Sequence, residues 1–228
     1  MATVGVKRSN TFIEKLVSSK LFWIVFVLFT FSYPIIRSVN RKLPPPLPVI
    51  KKLPEFALLN GFNKPYGTKE LHGKAYIANF IFTTCPSSCL RLSKEMEKIQ
   101  KRIRGMGQKV ALVSFTVDPL TDKPAVLYKY ARKRRANPHI WTFLTGEKEA
   151  MKKIIIDGFE VPMGEREESE MMLEGETITM FDIAHTEKFA LVDYNGNVRG
   201  YYDSTRDGIN QLMIDIGLLM NRKEFAKN

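Results

Sequence analysis

A chain of 228 residues with 35 Lys plus Arg, 24 Asp plus Glu and a net charge of +11 is long enough for one domain and a tail. Its 44% hydrophobic content excludes a disordered chain, and its two cysteines exclude a small disulfide-stapled scaffold. The charge is uneven: residues 1–20 carry a net +3 and residues 37–52 a net +5, which leaves about +3 for residues 53–228. The excess flanks an apolar segment instead of covering the folded part, so nucleic-acid binding is not expected.

Residues 1–20 form a basic tail. Leu21 to Ile36 follow without a charge, and as a helix these sixteen residues would be about 24 Å long, against a hydrocarbon core of roughly 30 Å. Lys20 and Arg37 can snorkel to the two interfaces, and Trp23 and Tyr33 stand where interfacial aromatics are favoured. A single transmembrane helix over 21–36 is therefore expected. A cleaved signal peptide shares the basic start and apolar middle, but no small-x-small cleavage site follows. Residues 37–52 read as a basic, Pro-rich linker, with LPPPLP at 43–48 favouring an extended spacer.

The domain is expected over 53–228. Ala75–Thr83 and Val110–Val117 read as buried strands, Ser87–Arg104 as a helix between them, and Pro124–Arg135 as a helix with Pro near its start. Ile140–Leu144 is a third strand and Glu147–Asp157 a helix. Roughly 160–182 reads as a long acidic loop. Lys188–Asp193 and Asn197–Tyr202 flank Asn195-Gly196, a two-residue hairpin signal, and Ser204–Asn221 closes the chain as a helix. Strands alternating with helices give an α/β class with a mixed sheet.

Cys85-Pro86-Ser87-Ser88-Cys89 sits where a buried strand hands over to a helix, the usual place for sites in open α/β folds. A helix start favours thiolate, and residues four apart lie close enough for both sulfurs to reach one metal at roughly 2.3 Å. The spacing also permits a disulfide if Cys85 precedes the first turn. His185 stands just before the strand at 188–193. Two thiolates and one imidazole suit copper or zinc. Asp118, at the end of the second strand, is expected to support that site from behind, and Asp122 to form a turn. Met163, Met171, Met172 and Met180 could be soft ligands, but gap-filling is the commoner role. Lys129, Arg132, Lys133, Arg134 and Arg135 read first as a solvated basic face and second as a dock for an acidic partner. His72 and His139 have no ligand context.

The stretches FIFTTCPSSC with SKEMEKIQ, VSFTVDPLTDKP, WTFLTG and AHTEKFALVDYNGNVRGYYDS resemble, in order, the Sco/SenC family of copper-binding assembly factors for cytochrome c oxidase. The resemblance covers about 54–220. It implies a thioredoxin-like fold with Cys85, Cys89 and His185 as copper ligands, and either delivery of copper to the dinuclear copper centre or reduction of its thiols. The partners it implies are the copper-bearing oxidase subunit and other copper chaperones or thiol reductants. It places the domain on the periplasmic side of a bacterial inner membrane or in the equivalent mitochondrial space, and with no organellar targeting segment evident the bacterial location is expected. Ser87, Leu90 and Lys123 depart from the family pattern, while the three ligand positions are intact. A metallochaperone is expected rather than an enzyme. The alternative is a thiol–disulfide oxidoreductase or peroxidase using the same cysteine pair.

Overall fold

A computed structural model describes residues 12–39, 44–85, 88–163, 167–173, 176–182 and 188–221. Two compact units are present, Met1–Pro45 and Pro46–Asn228.

The first unit holds α1 (Phe12–Val17) and α2 (Lys20–Val39). Trp23 donates from Nε1 to the Val17 carbonyl at 2.8 Å, closing the bend between them. The helix expected over 21–36 is present and exposes its large apolar side chains. It is not shown to be a membrane span: no helix among the described residues is long and apolar enough to cross a membrane. The uncharged run is short of the hydrocarbon thickness, and Pro34 lies within its last turns.

The second unit contains β1 (Lys51–Lys52), β2 (Ala57–Asn60), β3 (Pro65–Gly67), α3 (Thr68–Leu71), β4 (Ala75–Ile81), α4 (Ser88–Ile103), β5 (Val110–Thr116), α5 (Pro124–Lys133) and β6 (Trp141–Thr145). Next come α6 (Lys148–Lys152), which continues as a π-helical segment to Gly158, then β7 (Glu167–Leu173), β8 (Glu176–Asp182), β9 (Lys188–Val192), β10 (Asn197–Asp203) and α7 (Arg206–Asn221). One eight-stranded sheet runs β1-β10-β9-β4-β5-β6-β2-β3. β4, β5 and β6 are parallel, and the remaining pairs are antiparallel.

Every residue of β4 and β5 is buried, which accounts for their mainly apolar sequences, interrupted by Asn79, Ser114 and Thr116: a strand covered on both faces needs no polar alternation. Phe80, Phe115 and Phe159 meet at the centre, with ring centroids 5.2 Å apart for Phe80–Phe159 and 5.4 Å for Phe115–Phe159. The β4-α4-β5 crossover and the β9-β10 hairpin closed by α7 give the mixed-sheet, thioredoxin-like arrangement expected. Gly196 turns that hairpin with φ 78, a conformation that favours glycine.

The acidic segment differs from the expected loop. β7 and β8 pair antiparallel in register from Glu167–Asp182 to Leu173–Glu176, as a separate two-stranded sheet. Two features had no counterpart in the sequence reading. β2 and β3 add a hairpin at the sheet edge beside β6, and Lys51–Lys52 pair with β10.

Candidate metal centre

The parallel order of β4 and β5 places their carboxyl ends side by side, with Val117 N bonded to the Ile81 carbonyl at 2.8 Å. Both chains then turn away, and a buried carboxylate joins the two turns. Asp122 is fully buried. Its Oδ2 accepts from the Thr83 amide at 3.0 Å and from Thr116 Oγ1 at 2.6 Å, and its Oδ1 accepts from the Thr83 hydroxyl. Burial pushes the Asp122 carboxyl above its usual range, against the pull of the hydrogen bonds from Thr116 and Thr83.

Cys85 follows two residues after Thr83. It is half-buried and packs against the core, and its amide donates to the Phe82 carbonyl at 3.3 Å. Ser88 opens the first turn of α4, which also holds Cys89. So the structure brings the pair to a strand-to-helix junction, as expected. The Cys89 side chain and the whole of His185 lie outside the described residues.

β9 runs antiparallel to β4 with Ala78 opposite Ala190 and Tyr76 opposite Val192. Its amino end therefore stands beside the carboxyl end of β4, from which Cys85 departs. Among the described residues, no three His, Cys, Asp or Glu side chains gather as a metal site.

Asp118 lies at the same edge. Its described hydrogen bonds are those of a turn: Oδ1 accepts from Thr121 N at 3.3 Å, the carbonyl accepts from Asp122 N at 2.9 Å, and the amide donates to Thr116 Oγ1 at 3.0 Å. The turn expected at Asp122 is made by Asp118. In the structure Asp122 is the residue that clasps the segment leading to Cys85. A signal for it was present, an Asp after β5 together with the Thr83 and Thr116 hydroxyls, but the separation of 39 positions from Thr83 to Asp122 hid the pairing. His72 is exposed just after α3, and His139 is exposed in the turn before β6, at the sheet end opposite Cys85. Met163 is half-buried against the core, which suits a packing role. Side chains of Met171, Met172 and Met180 lie outside the described residues.

The SCO1/SenC family pattern matches residues 48–220. A SCO1 protein homolog of Bacillus subtilis (strain 168) is 27% identical over 157 residues, covering 68% of this chain and 80% of that protein. Among solved structures, a SCO1/SenC family lipoprotein from Bacillus anthracis str. Ames is 31% identical with a TM-score of 0.64, covering 76% of this chain and 98% of the other. Bradyrhizobium japonicum ScoI, solved with copper bound, shares the fold at a TM-score of 0.56 and 22% identity, covering 72% of this chain and 98% of the other. The family match spans the whole sheet from β1 to α7, including the clasped cysteine loop, and this chain belongs to the SCO1/SenC family.

Proposed function

We propose that this chain holds one copper ion between Cys85, Cys89 and His185 and serves assembly of the dinuclear copper centre of cytochrome c oxidase. The observation that carries this reading is the fixed position of Cys85, at a strand-to-helix junction clasped by Asp122, with Cys89 four residues on. Thiolates are soft donors, and this pair suits Cu(I). His185 is three residues from Lys188, so the chain keeps it within about 11 Å of the amino end of β9, beside the cysteine loop. The copper bound to Bradyrhizobium japonicum ScoI supports the choice of metal. A copper-bearing oxidase subunit would receive the ion, and a thiol reductant or second copper chaperone would meet the same loop.

The exposed apolar side chains of α2, between Lys20 and Arg37, support a tether to a bacterial inner membrane with the domain on the periplasmic side. The Bacillus anthracis relative, a lipoprotein, is consistent with that attachment. Full-length protein is expected to stay with membranes through a high-salt wash, because salt screens charge and leaves apolar burial intact. Release by salt alone sinks the tether.

Anaerobic loading should give about one Cu(I) per chain. Cys85→Ser or Cys89→Ser should abolish tight binding, and stoichiometric copper retained by the double variant would overturn the site. The same cysteine pair also fits thiol–disulfide exchange, and His185→Ala separates the readings. A ligand histidine gives a large loss of Cu(II) affinity and a changed thiolate-to-copper absorption. An exchange enzyme keeps the Cu(II) spectrum and changes only its exchange rate.

A further inference from the structure

The β2–β3 turn, α5 and β6 enclose a cavity of about 330 Å³ that has no part in the cysteine loop. It lies at the other end of the sheet. Cys85 follows the carboxyl end of β4, whereas Trp141 opens the parallel strand β6 beside Leu112. Leu127, Trp141 and Phe143 line the interior, and all three are buried side chains. Trp141 Nε1 is engaged by Ser114 Oγ at 2.8 Å, so the ring offers carbon to the cavity.

Phe62 and Tyr128 form an exposed aromatic rim, packed edge to face at 5.4 Å. Gly61 holds this rim together, because a Cβ there would meet the Tyr128 backbone at 3.2 Å. Along the segment that supplies α5 and β6 to the cavity wall the charge has one sign. Residues 123–146 contain six Lys or Arg and no Asp or Glu. Arg134 is accounted for by Glu97 at 3.6 Å and by the Tyr130 ring, 5.4 Å from its guanidinium carbon. Lys129, Arg132, Lys133 and Arg135 are exposed and make no ion pair among the described residues, and Arg132 lines the cavity itself.

We infer that this cavity and its basic rim dock an acidic segment of a partner protein that carries one bulky apolar side chain. Single-sign exposed charge steers an oppositely charged partner and sets register. A desolvated pocket walled by aromatics is where an interface concentrates its binding energy on one anchor. The volume stands at the small end of ligand pockets, roughly 300–1,000 Å³, which suits one side chain and not the acyl chains of a membrane lipid. Because the surface is at the sheet end opposite Cys85, a partner held there leaves the cysteine loop accessible.

The test titrates the full chain, in detergent and without copper, with a fluorescent capped peptide of two glutamates, one tryptophan and two aspartates. Omitting copper keeps its outcome separate from that of the metal-binding reading. Polarisation should report binding that weakens tenfold or more when the peptide's tryptophan becomes glycine. The same loss is expected in the exposed double variant Lys129→Glu plus Arg132→Glu, and in Ala131→Trp, which fills the cavity. If Ala131→Trp fails to fold, the charge variant still decides, since both its positions are on the surface. Equal binding by that variant, or by a peptide with lysines for its acids, overturns the proposal. Displacement of the peptide by dihexanoyl phosphatidylglycerol at lower concentration than by unlabelled peptide assigns the surface to lipid and overturns it too.

Discussion

Three hydrogen bonds from two chain segments converge on the carboxylate of Asp122, and nothing in it reaches solvent. Removing one partner from such a set leaves buried donors unmade, which costs about 1–3 kcal/mol. Asp122→Ala should therefore lower the unfolding free energy by about that amount, read from the urea midpoint at constant slope. It should also speed alkylation of Cys85, because the Thr83 amide and hydroxyl are the bonds that hold the approach to that residue. Unchanged stability and unchanged alkylation would show that the clasp does not hold the loop. The residues of this site were only partly legible in the sequence. The cysteines announce themselves by spacing and by the strand-to-helix boundary. Asp122 does not, because Thr83 comes from a neighbouring strand end and only the parallel pairing of β4 with β5 brings it to Asp122.

At the scale of elements, the buried strands and amphipathic helices were readable from pattern, and their bounds differ by a few residues at the ends where turns begin. The β7–β8 hairpin was not. Its strands carry Glu at four positions and Glu174-Gly175 stand between them in the sequence, so composition pointed to loop while the alternation of Thr177, Ile178, Thr179 and Met180 pointed to strand. β2 and β3 escaped for a different reason: three or four residues at an edge, one of them Pro65, give little periodicity to read. The β9–β10 hairpin has its own lock. Asp193, with no exposed side-chain surface, accepts from Asn195 N and Asn197 N at 2.9 Å each and pairs with Arg199 Nε at 2.6 Å. Arg199 also donates from Nη1 to the Leu47 carbonyl at 2.7 Å, tying the chain entering the domain to β10. Breaking a buried pair from one side leaves a charge uncompensated, so Arg199→Ala should cost about 3 kcal/mol. It should also open the 44–48 segment to limited proteolysis at native conditions. A loss below about 0.5 kcal/mol, the usual range for a surface substitution, would refute the lock.

Over the whole molecule, ionisation couples to folding through phenols as well as carboxylates. Tyr76 is almost wholly buried within β4, and burial, with Asp193 adding to it, pushes its phenol far above the ordinary value. Tyr202 is pushed the same way by burial and by Asp215, whose Oδ2 accepts its hydroxyl at 2.7 Å. In the unfolded chain both would titrate near about 10. A group whose folded value is raised contributes stability that is intact below its unfolded value and is lost as pH climbs towards the folded one. Each such tyrosine removes about 1.4 kcal/mol per pH unit above about pH 10, so the two together should steepen alkaline destabilisation by about 2.7 kcal/mol per unit. Tyr202→Phe removes one of the two ionisations along with the hydrogen bond to Asp215. The variant should be less stable than the parent near neutrality, and the gap should narrow above pH 10 because its slope is shallower by about 1.4 kcal/mol per unit. Urea titrations of both proteins from pH 8 to 11 make the comparison, and parallel slopes across that range would mean that Tyr202 ionises in the folded state as readily as in the unfolded one.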